Sequence, residues 1–467
     1  MSKWPKVMIA AVMVLALVVV GCAPAEVAAP EEEKTITVGI LGALTGPLSA
    51  IGYGAVCVHD YWTELNVTEG GIRYMDPQTG KEEVVAIKVM MGDHAWDMAK
   101  CVSLYERFKA AGMQFAYANG SAPTAAIYAA AARDRIPGLQ VNCTCDPFIY
   151  ETETEPYLAM DGTMMPVSTA PVVAWYVEQW KREGKPGKPK IGVLAADVAT
   201  RRVYDNDEDY GFITYAKEVA GADFLGNVFM GVVPVDVKAE LTGFIEKGAN
   251  VILVDHWGAG ACRVVLHDAL ELEMHKKGIT LNIEWMPSEV PLAEPELWNE
   301  YNKYALVQSL SHGYNGNEPP DVQAQVPGLK KAFDLCAKYQ DGQVPELRAG
   351  WQYVYGVEYG MLGQQAIKQA LEKTGWAGFS TKQVRDEMFG FDPIETGGLL
   401  PPYTPPPDIF TTWCMFTITD IIDGHMVNSP ERPWITAGPT KVYPDFNITV
   451  HGEWKDKVWV APAWPPK

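Results

Sequence analysis

Basic residues are scarce in this sequence of 467 residues: Lys and Arg together number 38 against 58 Asp and Glu, which gives a net charge of −20 at pH 7. Nucleic-acid binding requires a positively charged face, so the composition argues against that class of partner. Cysteine is also rare, with 8 residues in the whole chain. That is too few for a disulfide-held fold, and a chain of this length can bury enough apolar surface without disulfides.

Enzyme signatures and clusters of metal-ligating residues are missing from the sequence. There is no HExxH, GxSxG or Walker motif, and no GxGxxG follows the first predicted strand. The three aspartates within 205–209 alternate as in a calcium loop, but Tyr210 stands where that loop needs Gly and Ala216 where it needs Glu. Acidic residues before a helix N-terminus explain this run better. We therefore expect no metal, no cofactor and no catalysis.

A long apolar run occurs only at the N-terminus. Residues 7–20 carry no charge and follow two lysines, which is typical of a secretory signal and too short for a membrane span. The run ends in Gly21-Cys22, which resembles the lipobox of bacterial lipoproteins. We expect residues 1–21 to be a signal peptide and the Cys22 thiol to carry lipid; the alternative is an ordinary signal peptide with a chance cysteine. Residues 22–34, rich in Ala, Pro and Glu, are interpreted as a flexible tether.

From residue 35 onward, predicted strands and helices alternate in two successive runs. The first run predicts strands at 36–41, 84–91, 115–118 and 139–141, with helices at 55–65, 96–111 and 124–132. The second predicts strands at 191–196, 227–233, 251–254 and 282–286, with helices at 172–181, 212–220, 238–247 and 262–275. Alternating units of this length predict an α/β fold with two lobes, each a parallel sheet covered on both faces.

The pattern changes after residue 289. We predict one strand at 306–310, long helices at 322–339 and 353–373, and a strand at 413–422 that ends in an Asp-Gly hairpin turn. The chain from residue 430 on is rich in Trp and Pro and is expected to wrap the surface. Residues 75–84 are interpreted as a surface insert.

The turns that follow the predicted strands are candidates for a binding site. In open α/β sheets, ligands bind outside the carboxyl ends of the strands. Three such turns lie at 42–54, 118–124 and 141–147. Ser121 lies at a predicted helix start, where its hydroxyl and the free N–H groups suit a carboxylate. The alternative is that the Ser and Thr residues of these turns only cap helices.

Several sequence words, in order, resemble the solute-binding proteins of ABC importers, branched-chain amino-acid family. They include TITVGILGALTGPLSAIG at 35–52, NVTEGGI at 66–72, ANGSAPTAAIY at 118–128, RIPGLQVNCT at 135–144 and YGVEYGMLGQQAIKQALEKTG at 355–375. The resemblance implies the type I periplasmic binding protein fold, with two Rossmann-like lobes of parallel sheets joined by a three-crossover hinge. It divides the chain into lobe 1 at 35–168 plus 290–395, lobe 2 at 169–289 plus 396–450, and a C-terminal tail at 451–467.

The resemblance also implies contacts to a ligand in the cleft. Ser121 would hold the ligand carboxylate, and Thr144 would help to hold its ammonium group. The acidic partner of the ammonium group would be Glu289, with the neighbouring Ser288 as an alternative position.

Tyr210 and Trp257 would line the second lobe. Asp255, with His256 beside it, stands where small residues are usual in the family, and it is a second candidate for meeting a cation. An amino acid or similar zwitterion with an apolar or aromatic body would satisfy these groups together.

The function implied is that of a lipid-anchored, extracytoplasmic protein of the periplasm or cell surface. It would capture a small amino-acid-like solute and deliver it to ABC permease subunits that work with a cytoplasmic ATPase. One alternative is a receptor that presents its ligand to a sensor, and another is a solute that is a non-amino-acid carboxylate or an aromatic compound. An exported enzyme would have only Asp255, His256 and Glu289 as acid–base candidates.

Lipidation of Cys22 is directly testable. Metabolic labelling with a fatty-acid analogue should mark the wild-type protein and should not mark the Cys22→Ser variant. Equal labelling of both proteins would contradict the assignment.

Overall fold

The computed structural model describes residues 34–46, 49–141, 155–161, 165–202, 204–207, 211–256, 258–284, 291, 293–311, 320–340, 350–391, 393–399, 411–413, 415–427, 434–437, 448–451, 453–455 and 458–460. The predicted signal peptide, Cys22 and nearly all of the tether lie outside these residues. Every described strand and helix belongs to the unit Thr35–Lys467.

The described strands are β1 Thr35–Gly42, β2 Ile72–Met75, β3 Glu82–Asp93, β4 Phe115–Asn119, β5 Gly138–Val141, β6 Leu158–Asp161, β7 Lys190–Ala196, β8 Asp223–Met230, β9 Val251–Asp255, β10 Thr280–Glu284, β11 Val307–Ser311, β12 Thr411–Trp413, β13 Met415–Ile422, β14 His425–Val427, β15 Trp434–Ala437, β16 Ile448–His451, β17 Glu453–Lys455 and β18 Val458–Val460.

The described helices are α1 Gly52–Glu69, α2 Met98–Ala110, α3 Ser121–Asp134, α4 Met165–Arg182, α5 Ala199–Arg202, α6 Phe212–Thr214 (continued by a π-helical turn Tyr215–Ala220), α7 Lys238–Glu246, α8 Ala259–Glu271, α9 Pro295–Asn302, α10 Pro320–Gln325, α11 Pro327–Tyr339, α12 Gly350–Gly378 and α13 Thr381–Met388. Helix α12 has a non-helical kink at Gly375. Among the described residues, no helix is long and apolar enough to cross a membrane.

Two separate sheets have the same central strand order. The first runs β12-β6-β5-β4-β1-β3-β2, and the second runs β16-β15-β13-β11-β10-β9-β7-β8, with β14 paired to β13. All neighbouring strands are parallel from β3 to β6 in the first sheet and from β8 to β11 in the second. In the first sheet β3 lies on one side of β1, and β4, β5 and β6 follow on the other side. In the second sheet β8 lies on one side of β7, and β9, β10 and β11 follow on the other. This is a doubly wound order. The predicted α/β fold with two Rossmann-like lobes is confirmed.

The chain passes between the two lobes at three points within the described elements. It crosses from β6 to β7, from β11 back to the helices that pack on α1, and from β12 to β13. The strand positions differ in part from the boundaries given above. Strand β11, within the 290–395 range ascribed to lobe 1, pairs with β10 in the second sheet, whereas β12, within 396–450, pairs with β6 in the first. Both strands extend a parallel sheet edge with backbone bonds, which hydropathy alone does not assign to one sheet or the other.

Residues 75–84 form the end of a hairpin in which β2 pairs antiparallel with β3 and Asp76 accepts the Gln78 and Thr79 N–H groups of the turn. Two local predictions need correction. The single helix predicted at 322–339 is two helices, because Pro327 forces the preceding Val326 into an extended conformation. Part of the chain after residue 430 is not a surface wrap, since β15 and β16 extend the second sheet.

The core of the first lobe is packed around α12. A row of glycines on this helix allows α1 and the sheet to approach closely: a Cβ on Gly356 would lie 2.3 Å from the Cys57 Cβ, and one on Gly363 would lie 2.0 Å from the Tyr117 hydroxyl. That hydroxyl accepts from the Trp62 indole N–H at 3.3 Å and donates to the Tyr359 carbonyl at 3.1 Å. The position of Tyr117 is therefore fixed from two sides.

Substituting glycines in two helices should have opposite effects on stability. Gly363→Ala places a methyl group against the fixed Tyr117 hydroxyl and should lower the free energy of unfolding by about 1–3 kcal/mol. Gly243→Ala in α7 adds a Cβ with nothing within 4 Å and should raise it by about 0.5–1 kcal/mol. Chemical denaturation of both variants measures the two changes, and a neutral Gly363→Ala would contradict the packing described.

Candidate functional site

Asn119 holds the carboxyl ends of three strands of the first sheet together. Its fully buried side chain accepts the Ala43 N–H after β1 at 3.1 Å, and its amide donates to the carbonyls of Val141 in β5 and Ile51 before α1, each at 3.2 Å. The order of strands reverses between β1 and β4, so this edge is the topological switch point, where open α/β sheets bind ligands.

Asp93, the last residue of β3, fixes the turn that follows β1. Its Oδ1 accepts the N–H groups of Leu44, Thr45 and Ala95 at 2.9, 3.2 and 2.8 Å, and its Oδ2 accepts the Thr45 hydroxyl at 2.5 Å. Burial alone would raise the pKa of Asp93, but these hydrogen bonds outweigh burial and hold the pKa below its ordinary value. The carboxylate is therefore ionised and braces two neighbouring turns. The cap of the next helix is a different residue, Asp97, which accepts the Lys100 N–H.

Trp96 covers the start of α3. Ala95 and Trp96 both have left-handed backbone angles, with φ of 50° and 62°, and the buried His94 ring supports them by accepting the Trp96 N–H at 3.1 Å. The indole lies on Gly120, where a Cβ would be only 2.3 Å from its Cζ3 atom. A half-buried aromatic face therefore lies directly beside Ser121.

Ser121 is the first residue of α3, and the residue before it, Gly120, makes no side-chain cap. The Ser121 hydroxyl is half-buried and forms no hydrogen bond with another described residue. Thr124, by contrast, donates its hydroxyl back to the Gly120 carbonyl at 2.6 Å within the helix. Capping is thus not the role of Ser121, and its hydroxyl is available beside the free N–H groups of the first turn.

The matching edge of the second sheet contains a buried ion pair. Asp255 ends β9, and its Oδ1 accepts from Nε and Nη2 of Arg201, both at 3.1 Å. Its Oδ2 accepts from the Tyr204 hydroxyl at 3.1 Å. Asp255 and Tyr204 are 0% exposed and Arg201 is 6% exposed. Both Asp255 oxygens are thus engaged by the protein itself, which speaks against the predicted role of this carboxylate as partner of a ligand cation.

A second buried acid lies next to this pair. Glu284, which ends β10 and is in register with Asp255, is 0% exposed, and its Oε1 lies 2.6 Å from the hydroxyl of Thr169 in α4. The same Thr169 hydroxyl lies 2.5 Å from the Tyr204 hydroxyl. Burial, and then the charge of Asp255, raises the pKa of Glu284 well above its ordinary value.

His256 follows Asp255 and is also buried. Its Nδ1 accepts the Gly258 N–H at 2.9 Å. Burial, with the nearby Arg201 charge, lowers the pKa of His256 to about 4, so the ring is neutral at physiological pH. Because the pKa of His256 is low and both Asp255 oxygens already accept hydrogen bonds from Arg201 and Tyr204, these two residues are poorly suited to act as an acid–base pair in catalysis.

The remaining predicted ligand contacts lie outside the described residues: Thr144, Tyr210, Trp257, Ser288 and Glu289. Two aspartates of the run at 205–209 are described: Asp205 faces Arg202 at 3.6 Å, and the Asp207 carboxylate accepts the Ile213 and Thr214 N–H groups at 2.7 and 3.0 Å. That is the predicted acidic cap of a helix start rather than a calcium ligand.

Sequence reasoning missed Arg201, Tyr204, Thr169 and Glu284. Glu284 did leave a signal, because it is a charged residue in a strand predicted to be buried in a parallel sheet, where apolar residues are the rule. Arg201 left none, because an arginine in a polar segment after a strand is ordinary.

Removing the Asp93 carboxylate should loosen the first-lobe edge. Asp93→Ala leaves the Leu44, Thr45 and Ala95 N–H groups without their acceptor and should lower the free energy of unfolding at pH 7 by about 1.5–3 kcal/mol. Because the pKa of Asp93 is depressed, its contribution is present above about pH 4 and is lost as the pH falls through the folded-state pKa, so the difference from wild type should shrink there. Asp97→Ala, the matched control, removes one capping bond and should cost about 1 kcal/mol. Equal effects of the two variants at pH 7 in urea denaturation would contradict the bracing role.

Solved structures of similar fold include binding proteins of ABC transporters. A fatty acid ABC transporter substrate-binding protein from Thermomonospora curvata is 16% identical, covers 85% of this chain and 93% of its own, and has a TM-score of 0.62. A solute-binding protein of an ABC transporter from R. palustris, in complex with 4-hydroxybenzoate, is 14% identical over 85% and 95% of the two chains, with a TM-score of 0.61. A branched chain amino acid ABC transporter protein from Thermus thermophilus with bound valine is 15% identical over 86% and 96%, with a TM-score of 0.63.

At these identities the likeness establishes the fold alone. No curated protein sequence is similar enough to count as a relative of this chain. The family itself follows from a different comparison, in which residues 35–284, more than half of the chain, match the family model described as periplasmic binding protein. This stretch contains the switch-point edges of both sheets, with Ser121 on one and Asp255 on the other. The chain belongs to the periplasmic binding protein family.

Proposed function

We propose that this protein is the extracytoplasmic solute-binding component of an ABC importer and that its solute carries a carboxylate. The observation that carries the proposal is the Ser121 hydroxyl, which is half-buried at the switch point of the first sheet and unused by the described protein. Family membership supports the binding function, since the family and its structural neighbours are solute-binding proteins of ABC transporters.

The first turn of α3 is suited to an anion. The N–H groups of Ser121 and Ala122 have no partner within the helix, while Pro123 has no N–H group and the Thr124 N–H donates to the Gly120 carbonyl. The helix dipole adds positive potential at this end. The Ser121 hydroxyl supplies a further donor, and Asn119 and Asp93 hold the surrounding turns in place. The ligands in the names of the three similar structures, a fatty acid, 4-hydroxybenzoate and valine, all carry a carboxylate.

The body of the solute is proposed to be apolar or aromatic. The Trp96 ring lies on Gly120 at the start of α3, so a flat apolar group attached to the carboxylate could pack against it. Tyr210 and Trp257 are the proposed contacts from the second lobe.

An ammonium group on the solute is not required. Asp255, one predicted partner for a cation, is neutralised by Arg201. Recognition of an ammonium group would then depend on Thr144 and Glu289 alone. We therefore propose an organic acid as the solute, and an amino acid is the alternative that the experiment below separates.

Delivery to the permease and anchoring to a membrane through lipid on Cys22 complete the proposed function.

The neutral His256 and the ion-paired Asp255 leave the described edge of the second sheet without a side chain suited to act as a general base. The proposal accordingly includes no catalytic step.

Isothermal titration calorimetry with a matched panel tests this function. The panel pairs branched and aromatic amino acids with their deaminated acids, and adds hydroxybenzoates and medium-chain fatty acids. At least one carboxylate should bind, and Ser121→Ala should weaken that binding by about 1.5–3 kcal/mol, the range for a hydrogen bond to a charged group.

Ser103→Ala, an exposed serine on α2, is the control and should leave the affinity unchanged. Binding of amino acids together with failure of all deaminated acids would favour the zwitterion instead. Failure of every carboxylate would contradict the proposed solute class.

A further inference from the structure

Four buried oxygen-bearing side chains form a continuous chain in the second lobe. The Asp255 Oδ2 lies 3.1 Å from the Tyr204 hydroxyl, which lies 2.5 Å from the Thr169 hydroxyl, which lies 2.6 Å from the Glu284 Oε1. All four residues are 0% exposed, so water does not surround these contacts.

Three oxygen-to-oxygen contacts at hydrogen-bond distance need three protons, one for each contact. Tyr204 and Thr169 supply one hydroxyl proton each, which accounts for only two contacts. If both carboxyl groups were ionised, one contact would bring two oxygens together in a buried site with no proton between them. The third proton must therefore be on one of the two carboxyl groups.

The position of Arg201 decides which carboxyl group carries it. The guanidinium contacts Asp255 Oδ1 with both Nε and Nη2 at 3.1 Å, which favours the ionised form of Asp255. With the proton on Glu284, each hydroxyl donates in the same direction, from Glu284 to Thr169, from Thr169 to Tyr204, and from Tyr204 to Asp255. The whole cluster then has no net charge, because Arg201 balances Asp255.

We propose that Glu284 is a neutral carboxylic acid in the folded protein and that its O–H group begins a directional hydrogen-bond chain that positions α4 on the ligand-binding edge of the second sheet. Helix α4 follows β6 directly in the chain and carries the first crossover between the lobes, and Thr169 lies in its second turn. Glu284 is thus a positioning residue for the wall of the proposed cleft.

The surroundings of Glu284 favour the neutral form. The titratable and charged groups that face it within the described chain are Asp255 from β9, Arg201 from α5 and Tyr204 from the segment after α5, while α4 contributes Thr169. Burial and the Asp255 charge together raise the pKa of Glu284, and they outweigh the opposing effects of Thr169 and Arg201. A neutral Glu284 beside a compensated Asp255 also means that neither strand end presents an unbalanced negative charge. Resting on the proposed function, this implies a solute that needs no counter-ion from β9 or β10.

The test compares Glu284→Gln with Asp255→Asn in the solute-free protein. The amide introduced by Glu284→Gln can donate to Thr169 as the carboxylic acid does, so this variant should unfold within a few-fold of the wild-type equilibrium constant at about pH 5. Asp255→Asn removes the negative charge that faces the buried Arg201 guanidinium and should raise the unfolding constant on the order of a thousandfold. Glu284→Ala, which cannot donate, should be destabilised where Glu284→Gln is not.

The pH dependence separates a positioning role from simple packing. Above the unfolded-state pKa of glutamate, about 4.3, the native wild-type protein holds one proton more than its unfolded form. Its unfolding constant should therefore rise about tenfold per pH unit relative to Glu284→Gln, until the pH passes the folded-state pKa of Glu284. Infrared difference spectra at pH 7 should show the carbonyl band of a protonated carboxylic acid in the wild type and not in Glu284→Gln.

No slope difference together with no such band, or a tolerated Asp255→Asn with a strongly destabilised Glu284→Gln, would overturn the proposal. Neither measurement uses a solute, so their outcome is independent of the calorimetric test of the proposed function.

Discussion

The reversal of strand order in each sheet is the constraint on which the rest of this structure depends. In the first sheet the parallel strands continue to either side of β1, and in the second they do so around β7. The chain connections at these two points leave in opposite directions, which opens a crevice at the carboxyl edge of each sheet. The backbone of the two lobes therefore forms equivalent crevices, and the two crevices differ in the side chains that line them.

The two crevices are filled in different ways. In the first lobe, the Trp96 ring and Gly120 lie beside Ser121, and the supporting bonds come from Asn119 and Asp93 behind it. In the second lobe, Arg201 and Asp255 occupy the equivalent edge and neutralise each other. One lobe thus presents hydrogen-bond donors and the other presents a buried, internally compensated pair. An anionic solute with an uncharged body matches this division better than a solute that needs a counter-ion on both sides.

Strand and helix positions were predictable because they follow from apolar periodicity, which burial in a two-layer α/β lobe imposes on the sequence. The lobe to which β11 and β12 belong was not predictable, since backbone pairing at a sheet edge leaves no mark in hydropathy. The break at Pro327 is visible in the sequence, but the strong helical pattern on either side of it hides the interruption. At the candidate site, the Ser121 position was reached from the strand-end rule and from resemblance. The Arg201–Asp255 pair was not reached, because its partners are 54 residues apart in the chain.

The polar residues under α4 contribute to specificity of packing more than to stability. On that face of the second sheet, Asn282 and Gln308 stand side by side in neighbouring strands, and both bond to the Tyr176 hydroxyl. Apolar side chains of the same volume could be buried equally well at these positions, and hydrogen bonds between buried polar groups add little net stability. Their bonds are directional, however, so they allow α4 one position along the sheet where an apolar surface would allow several. A crossover helix that must return to the same position each time the lobes move would need such fixed contacts.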